Sequence, residues 1–501
     1  MTPTPSLPYT VWTMKPKPNI VFILTDDQGW KDLSCTGSLY YRTPHIDKLA
    51  ADGVMFTQAY AAAPICSPSR GAIYSGQYPA RTKFTAVVRP YVEPDASLQQ
   101  VSKPQKGNVQ NREAMHRHCL PPDVPTVAEL LAPAGYRTGF VGKWHCGWNA
   151  DHWPDKRGWG YAVGFRTVAT GTKGHFGRDF APFKCMGLDD MKPGDYMTDV
   201  LTDKAVEFLR GAAAGCGGQP FFLVLSHYAV HQPLGAPAYL VEKYRKLPTT
   251  DHENPIYAAM LEKVDDSVGR IVATLAELGI EDNTMVVFTS DNGGLSPKST
   301  SNYPLMGGKS FCYEAAMRVP LIVKWPAAVE AGRRESTRVH AVDFMATWLE
   351  MAGVKPPKNL PLDGVSLLRL MTDSRRPAER AIFFHHPHYT HAAGPFSSVI
   401  SDDWKLIRFY NDTAGREQLF DLAADPFEQE DLAAARPRRA AKLRKLLDDW
   451  LAETDAEMPL PNDSFDRAAP AIKDKRFTWE LALKERAEHR RKLRASELGR
   501  Q

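Results

Sequence analysis

The chain reads as an α/β protein: one large, mostly parallel central sheet with helices on both faces, then a smaller antiparallel-sheet unit. Three observations predict this. Asn19–Thr25, Phe221–Leu225 and Thr284–Thr289 are unbroken apolar runs rich in β-branched and aromatic residues, the composition of strands buried on both faces of a parallel sheet. Amphipathic helices lie between such runs. In the strongest, over 256–278, Met260, Leu261, Val264, Val268, Ile271, Val272, Leu275 and Leu278 recur at helical spacing. Beyond residue 380 the pattern changes to short strands, over 381–384, 397–401, 405–409 and 417–421, with a helix over 432–453.

The other elements follow in order. Thr43–Ala50 is a helix with Pro44 at its start, and Val54–Tyr60 is a strand. Residues 81–122 form a long polar insertion, in which His116 and His118 read as surface residues. A helix over 126–134, a strand over 136–141, a helix over 196–209, a strand over 321–324 and a helix over 341–352 complete the first unit. The run Thr372-Asp-Ser-Arg-Arg-Pro377 breaks the pattern. We therefore expect a catalytic-size domain over 19–375, a small α+β domain over 376–460 and a basic surface tail over 461–501.

Composition narrows the function. Hydrophobic residues are 43% and charged residues 24% of 501, which is ordinary for a globular enzyme. A net charge of +4 gives no argument for nucleic-acid binding. No apolar run approaches the ~20 residues of a membrane helix. The opening Met1-Thr-Pro-Thr-Pro5 does not have the pattern of a signal peptide. The expectation is a cytoplasmic protein as written, or a periplasmic or secreted one if an export signal precedes it. The seven cysteines are scattered, with no zinc-site spacing and no disulfide framework. Nothing in the sequence sets the oligomeric state.

The chemistry-bearing residues gather at strand ends. Asp26-Asp27-Gln28-Gly29 follows the first buried run, and Ser290-Asp291-Asn292-Gly293-Gly294 follows a later one. Open α/β sheets place ligands there. Asp26, Asp27, Asp291 and Asn292 offer oxygen only, a set suited to a hard cation such as Ca²⁺ or Mg²⁺. A solvated Asp-Gly turn is the plainer reading of either cluster alone. Lys143 and His145, two apart on an extended segment, share a side and suit anion holding and proton transfer. Pro64-Ile65-Cys66-Ser67-Pro68-Ser69-Arg70-Gly71 puts a cysteine just before a helix started by Pro68. Helix N–H groups and Arg70 would then lower the Cys66 pKa. A buried structural cysteine is the alternative. Trp148, Trp153, Trp159, Arg166 and Arg178 enrich 148–180 in aromatic and basic groups that suit an anionic sugar. His385, His386, His388 and His391 form a further cluster, read as substrate contact or plain surface.

Cys66-x-Pro68-Ser69-Arg70 resembles the signature of the type I sulfatases. Gly142-Lys143-Trp144-His145-x-Gly147, His231-x-Pro233, Gly307-Gly308-Lys309 and the Trp404–Ile407 and Leu419–Leu422 stretches are similar to further blocks of that family. The matches run from Asn19 to about Leu432. Val230 stands where the family has proline, and Ala315 and Ala316 stand where it has two glycines. The resemblance implies an alkaline-phosphatase-like fold and a sulfuric ester hydrolase. It implies that Cys66 becomes formylglycine, made by a formylglycine-generating enzyme, and that the aldehyde hydrate attacks sulfur. It favours Ca²⁺ at Asp26, Asp27, Asp291 and Asn292, with residue 66 as a further ligand. Arg70 would orient the hydrate, Lys143 and Lys309 would hold sulfate oxygens, His231 would protonate the leaving alcohol, and His145 would take a proton as the aldehyde reforms. The expected substrate is a sulfated carbohydrate, cut exo and contacted by Trp153, Arg178 and His386. Alternatives are a phosphonate monoester or phosphodiester hydrolase, a small aryl-sulfate hydrolase, a silent binding protein on this fold, or an unmodified Cys66 thiolate.

Overall fold

The computed structural model describes residues 16–88, 109–165, 179–181, 185–215, 218–390, 394–410 and 416–466. The expected basic tail lies, from residue 467 on, outside the described residues.

The first ten strands are β1 (Asn19–Thr25), β2 (Val54–Tyr60), β3 (Asn111–Arg112), β4 (Arg137–Gly142), β5 (Tyr161–Val163), β6 (Phe221–Ser226), β7 (Thr284–Ser290), β8 (Arg318–Lys324), β9 (Arg333–Glu335) and β10 (Val339–His340). All but β3 join one nine-stranded sheet of order β10-β2-β8-β7-β1-β6-β4-β5, with β9 also on β2. The sheet is mostly parallel. The exception is β8, which runs antiparallel to both β2 and β7.

Strand alternation divides the core into two layers. Ile20, Phe22, Leu24, Phe222, Val224 and Val287 face a cluster that includes helices Cys66–Ser75 and Asp343–Ala352. Val21, Ile23, Leu223, Leu225, Val286 and Phe288 face helices Met197–Ala214 and Pro255–Glu277. The latter starts where it does because Asn254 accepts the Ile256 and Tyr257 N–H groups at 3.1 and 3.2 Å, with Pro255 first. Its expected stripe is buried, with Val272 and Leu278 at the layer's edge.

The second sheet is a meander of β11 (Ile382–His386), β12 (Phe396–Ser401), β13 (Trp404–Phe409) and β14 (Glu417–Asp421), antiparallel throughout. Asp402 and Asp403, at φ 50° and 61°, make the two-residue hairpin between β12 and β13. Helix Pro437–Glu453 covers this sheet. Its Trp450 stacks on Phe383 at 4.7 Å and meets Tyr78 edge-on at 5.2 Å, so the two sheets share one core. A last strand, β15 (Leu460–Pro461), pairs with β3 and holds the far end of the insertion.

The surface assignment of His116 and His118 is corrected: both are buried. Their rings lie 4.5 Å apart, and His116 meets His388 at 4.9 Å. His116 and His118 thus pack against the segment that follows β11 instead of solvent. No helix among the described residues is long and apolar enough to cross a membrane.

Candidate active site

Four adjacent parallel strands, β7, β1, β6 and β4, end at one edge of the sheet. Their registers pair Ser290 with Thr25, and Ser226 with both Leu24 and Gly142. The residues that follow, Asp291 and Asn292, Asp26 and Asp27, His231, and Lys143 and His145, are therefore brought together by strand order alone. Two glycines permit the close approach. Gly142, at φ +103°, lies where a Cβ would meet the Ser226 carbonyl oxygen at 2.0 Å, and at Gly293 a Cβ would meet that of Ala315 at 1.8 Å. The second contact seats the Ala315-Ala316 departure: Gly293 N–H bonds to Ala316 O at 2.9 Å.

Cys66 is the first residue of a ten-residue helix, Cys66–Ser75, whose every residue is buried and which Gly76 closes at φ +67°. The helix therefore starts two residues before Pro68. The Cys66 thiol lies 3.2 Å from Asp26 Oδ1, 3.7 Å from Asp27 Oδ1 and 3.4 Å from Lys309 Nζ. The expected lowering of its pKa is corrected. Burial, then Asp26 and Asp291, push the thiol well above its ordinary value, against Lys143 and Lys309. The helix N-terminus is outweighed because the thiol is buried and faces Asp26 and Asp291.

Charge is closely paired. Lys143 binds Asp26 Oδ2, and Lys309 Nζ lies 2.6 and 2.7 Å from the two oxygens of Asp27. Arg70 donates Nε–H to Asp291 Oδ2 at 2.7 Å and Nη1–H to Lys143 O at 2.9 Å and Ser226 Oγ at 2.6 Å. Burial would raise Asp26, but Lys143, His231, Arg70 and Lys309 hold it well below the usual carboxylate range. Asp27 is likewise lowered despite burial, by His231 and Lys309. Burial takes Asp291 up to about 6, against Arg70. His145, at φ 59° and half-buried, is pushed well down by desolvation and then by Lys143 and Arg70, so it stands neutral. His231 is also half-buried, 13% exposed, with Nε2 3.4 Å from Asp27 Oδ2. Burial takes it to about 4 in spite of Asp27.

These residues fit a divalent cation. Ligand atoms of Asp26, Asp27, Cys66 and His231 lie within 4.8 Å of one another. Asn292 Oδ1 is buried without a hydrogen-bond donor, while its Nδ2 donates to Asp27 Oδ1 at 2.8 Å. An unmet carbonyl oxygen beside two carboxylates is a hard-cation ligand. Asp291 sits one step back, its carboxylate already taking Arg70 Nε–H and, at 3.3 Å, Asp27 N–H.

The expected carbohydrate contacts fare unequally. Trp153 is half-buried, donates to Trp148 O at 3.0 Å and meets Phe165 edge-on at 5.7 Å. His386 is wholly buried and bonds Thr390 Oγ1 at 3.0 Å, and His385 and His388 are buried with it. The surface reading of these three is corrected: His385 bonds Ser397 Oγ at 2.7 Å and Glu457 O at 3.0 Å, and His388, just past β11, meets His116 at 4.9 Å. Arg178, Arg166 and His391 lie outside the described residues.

Three supporting groups escaped the sequence reading. Ser226 ends β6 beneath Arg70. Ser290 Oγ accepts Gln28 N–H at 3.1 Å and donates to Asn292 O at 2.9 Å, so it ties the two oxygen clusters together. Asp32 takes Gly29 N–H and Thr300 Oγ1–H, both at 2.7 Å, and the Tyr257 hydroxyl, and so fixes the turn that bears Asp27 at φ 61°. A lone hydroxyl closing an apolar run was the available signal for the two serines. Asp32 offered none.

Comparison with known proteins gives the family. The sulfatase family model matches residues 18–354, and the model of the N-sulphoglucosamine sulphohydrolase C-terminal region matches 306–457. An N-acetylgalactosamine-6-sulfatase of Sus scrofa is 32% identical over 469 residues, 86% of this chain and 84% of that protein. A sulfatase of Formosa agariphila is 30% identical over 511 residues, covering 88% and 90%. The crystal structure of Ps i-CgsB superposes with a TM-score of 0.72 at 29% identity, over 87% of this chain and 93% of that one. The chain belongs to the sulfatase family, and with it to the sulfuric ester hydrolases.

Proposed function

We propose that the protein removes sulfate from the end of a sulfated carbohydrate, with Cys66 converted to formylglycine by a formylglycine-generating enzyme and Ca²⁺ as the cation. The observation that carries this reading is Cys66 at the head of a buried helix, 3.2 Å from Asp26 and 3.4 Å from Lys309. The carbohydrate assignment is supported by the relatives, which include N-acetylgalactosamine-6-sulfatases and Ps i-CgsB in complex with k-i-k-neocarrahexaose. Burial of Cys66, Asp26 and Asp27 favours a sulfate presented at a chain end, which can enter where an internal one would be blocked.

Asp26, Asp27, Asp291 and Asn292 would hold the cation. With residue 66 as an aldehyde hydrate and the cation bound, the site supplies an oxygen nucleophile and a Lewis acid for the sulfate oxygens. The chain's own residues do the rest. Lys143 and Lys309 take the sulfate oxygens as charge develops on them. Arg70 orients the residue 66 oxygen. His231, at the mouth, gives its proton to the leaving alcohol, and an anionic ester beside it favours the protonated ring it needs. His145, neutral in the fold, accepts the proton whose removal restores the aldehyde and releases sulfate.

The test is inorganic sulfate release from a panel of sulfated mono- and oligosaccharides, alongside an aryl sulfate and an aryl phosphonate. The protein is co-produced with a formylglycine-generating enzyme, and the residue 66 peptide is weighed. We expect aldehyde mass at residue 66, turnover of at least one sulfated sugar, and none by Cys66→Ala. Turnover by a protein that carries only thiol would overturn the nucleophile. Preference for the phosphonate would overturn the substrate class.

A further inference from the structure

We propose that Ser226 is a positioning residue for this reaction, acting through Arg70; the proposal rests on the sulfatase reading of the site. The Arg70 guanidinium is wholly buried and held on two edges. Nε–H goes to Asp291 Oδ2 at 2.7 Å, and Nη1–H reaches Ser226 Oγ at 2.6 Å and Lys143 O at 2.9 Å. The remaining nitrogen, Nη2, makes no hydrogen bond and lies 3.8 Å from Asp26 Oδ1, the oxygen that the Cys66 thiol meets at 3.2 Å. The free donor edge is thus turned toward the place where residue 66 carries its reactive group.

Ser226 sets that orientation from both sides. Its hydroxyl accepts from Arg70 and donates to Lys143 O at 2.7 Å, while its carbonyl accepts Lys143 N–H at 2.8 Å. One residue at the end of β6 therefore fixes the guanidinium and the backbone of Lys143 together. The end of a buried strand is a rigid mount, and a buried hydroxyl with two bonds has one available rotamer. Alanine here leaves Nη1 with a single acceptor and lets the fork tilt. Arg70 Nη2 then loses its aim while the charge of the site is unchanged.

The experiment compares Ser226→Ala and Ser226→Thr in the wild-type and Arg70→Lys backgrounds, with an activated aryl sulfate as substrate. Each rate is divided by the aldehyde occupancy of residue 66, so loss of maturation is not read as loss of rate. Misplacement of this kind costs on the order of 10- to 100-fold in rate, and we expect that loss in kcat for Ser226→Ala with KM within about twofold. Ser226→Thr, which keeps the hydroxyl, should restore the rate to within about threefold. Lysine cannot make the fork, so in Arg70→Lys the Ser226→Ala loss should shrink to under about twofold. No loss in the wild-type background, or an equal loss in both, overturns the proposal and leaves the sulfatase reading standing. Should Ser226→Ala fail to fold, Ser226→Cys keeps the volume, weakens the acceptor, and must show the same dependence on Arg70. A matured wild-type protein that releases no sulfate from any ester overturns the sulfatase reading and this proposal with it.

Discussion

Among the described residues, the buried charge cluster between the sheets and the one at the strand ends differ in how completely they are satisfied. Between the two sheets, Lys405 on β13 sits 3.1 Å from Glu314 and 2.7 Å from Glu428. Glu314 Oε2 also takes the Tyr60 hydroxyl, and Glu428 Oε2 takes Glu314 N–H, both at 2.7 Å. Burial pushes Glu428 up to about 7 against Lys405, while Lys405 and Arg318 hold Glu314 down in spite of burial. Every charge in this cluster faces an opposite charge or a hydrogen-bond donor. At the strand ends, by contrast, Asn292 Oδ1 and Arg70 Nη2 are buried with no hydrogen-bond partner. A saturated buried cluster spends its interactions on joining the sheets. An unsaturated one keeps atoms for something that is not protein. Buried charge by itself therefore says little about function, and the unmet atoms say more.

The same substitution in both clusters tests this. Lys309→Met should cost activity: loss of one charge-stabilising group is worth roughly 10²–10³-fold in kcat. Asp27 keeps Asn292 and His231 as partners, so the denaturation midpoint should move less than in the other cluster. Lys405→Met leaves two carboxylates buried without their cation, which costs roughly 3–5 kcal/mol. The folded fraction should nevertheless turn over within about threefold of wild type. Denaturant melts and sulfate release on both variants check the crossing. If Lys405→Met loses its rate while still folded, the second cluster is not merely structural.

The sequence carried the site further than it carried the surroundings. Asp26, Asp27, Lys143, His145, Asp291 and Asn292 were legible because each follows a buried apolar run, and parallel strands put run ends on one edge. Cys66 and Arg70 were legible as a motif with helix-start chemistry, but the sign of the thiol's shift was not. That sign depends first on burial and then on Asp26 and Asp291, which are 40 and 225 residues away in the chain. The histidines failed for a similar reason. His116, His118, His386 and His388 carry no periodic signal, and they are buried because two segments some 270 residues apart close over each other. The hairpin at Asp402-Asp403 had a local signal in its two turn-forming residues.

His116, with His227 and His385, forms a third kind of buried polar group, one that resists protonation. Burial takes His116 down to about 2, helped by His388 and His118, and takes His227 to about 3 and His385 to about 4. The groups facing His116 are His118 and His388, and His388 in turn meets Thr85 Oγ1 at 2.7 Å and Glu113 at 3.4 Å. An unfolded histidine titrates near ~6.5. Below that pH the unfolded chain binds protons that the fold refuses, so this stability is complete above about 6.5 and drains as pH falls toward these lower values. Each histidine adds a slope of about 1.4 kcal/mol per pH unit. His252 works the other way. Asp251 and Asp32 outweigh burial and hold it at about 9, so its contribution is full below about 6.5 and is lost as pH rises through 9. Denaturant melts from pH 5 to 9.5 should show stability falling at both ends. His116→Phe should remove one histidine's slope on the acid side only; an unchanged acid slope would mean that His116 is protonated in the fold.

The smallest expected effect probes how saturated the structural cluster is. Tyr60→Phe removes the 2.7 Å bond to Glu314 Oε2 together with the hydroxyl's interaction with the Arg338 guanidinium. Tyr60 lies at the end of β2, buried, with its ring 6.1 Å from Phe384, so phenylalanine keeps the packing. A hydrogen bond to a charged group is worth roughly 1.5–3 kcal/mol, yet the measured loss should fall to about 1 kcal/mol or less. The reason is that Lys405 and Arg318 still face Glu314, and Glu428 can release its proton share to rebalance the group. A loss above about 3 kcal/mol would show that the hydroxyl is indispensable and that the cluster has no slack. Activity per folded molecule should not move. A fall in kcat with Tyr60→Phe would instead mean that Glu314, five residues after Lys309, passes its position on to the site, and the two clusters would have to be treated as one.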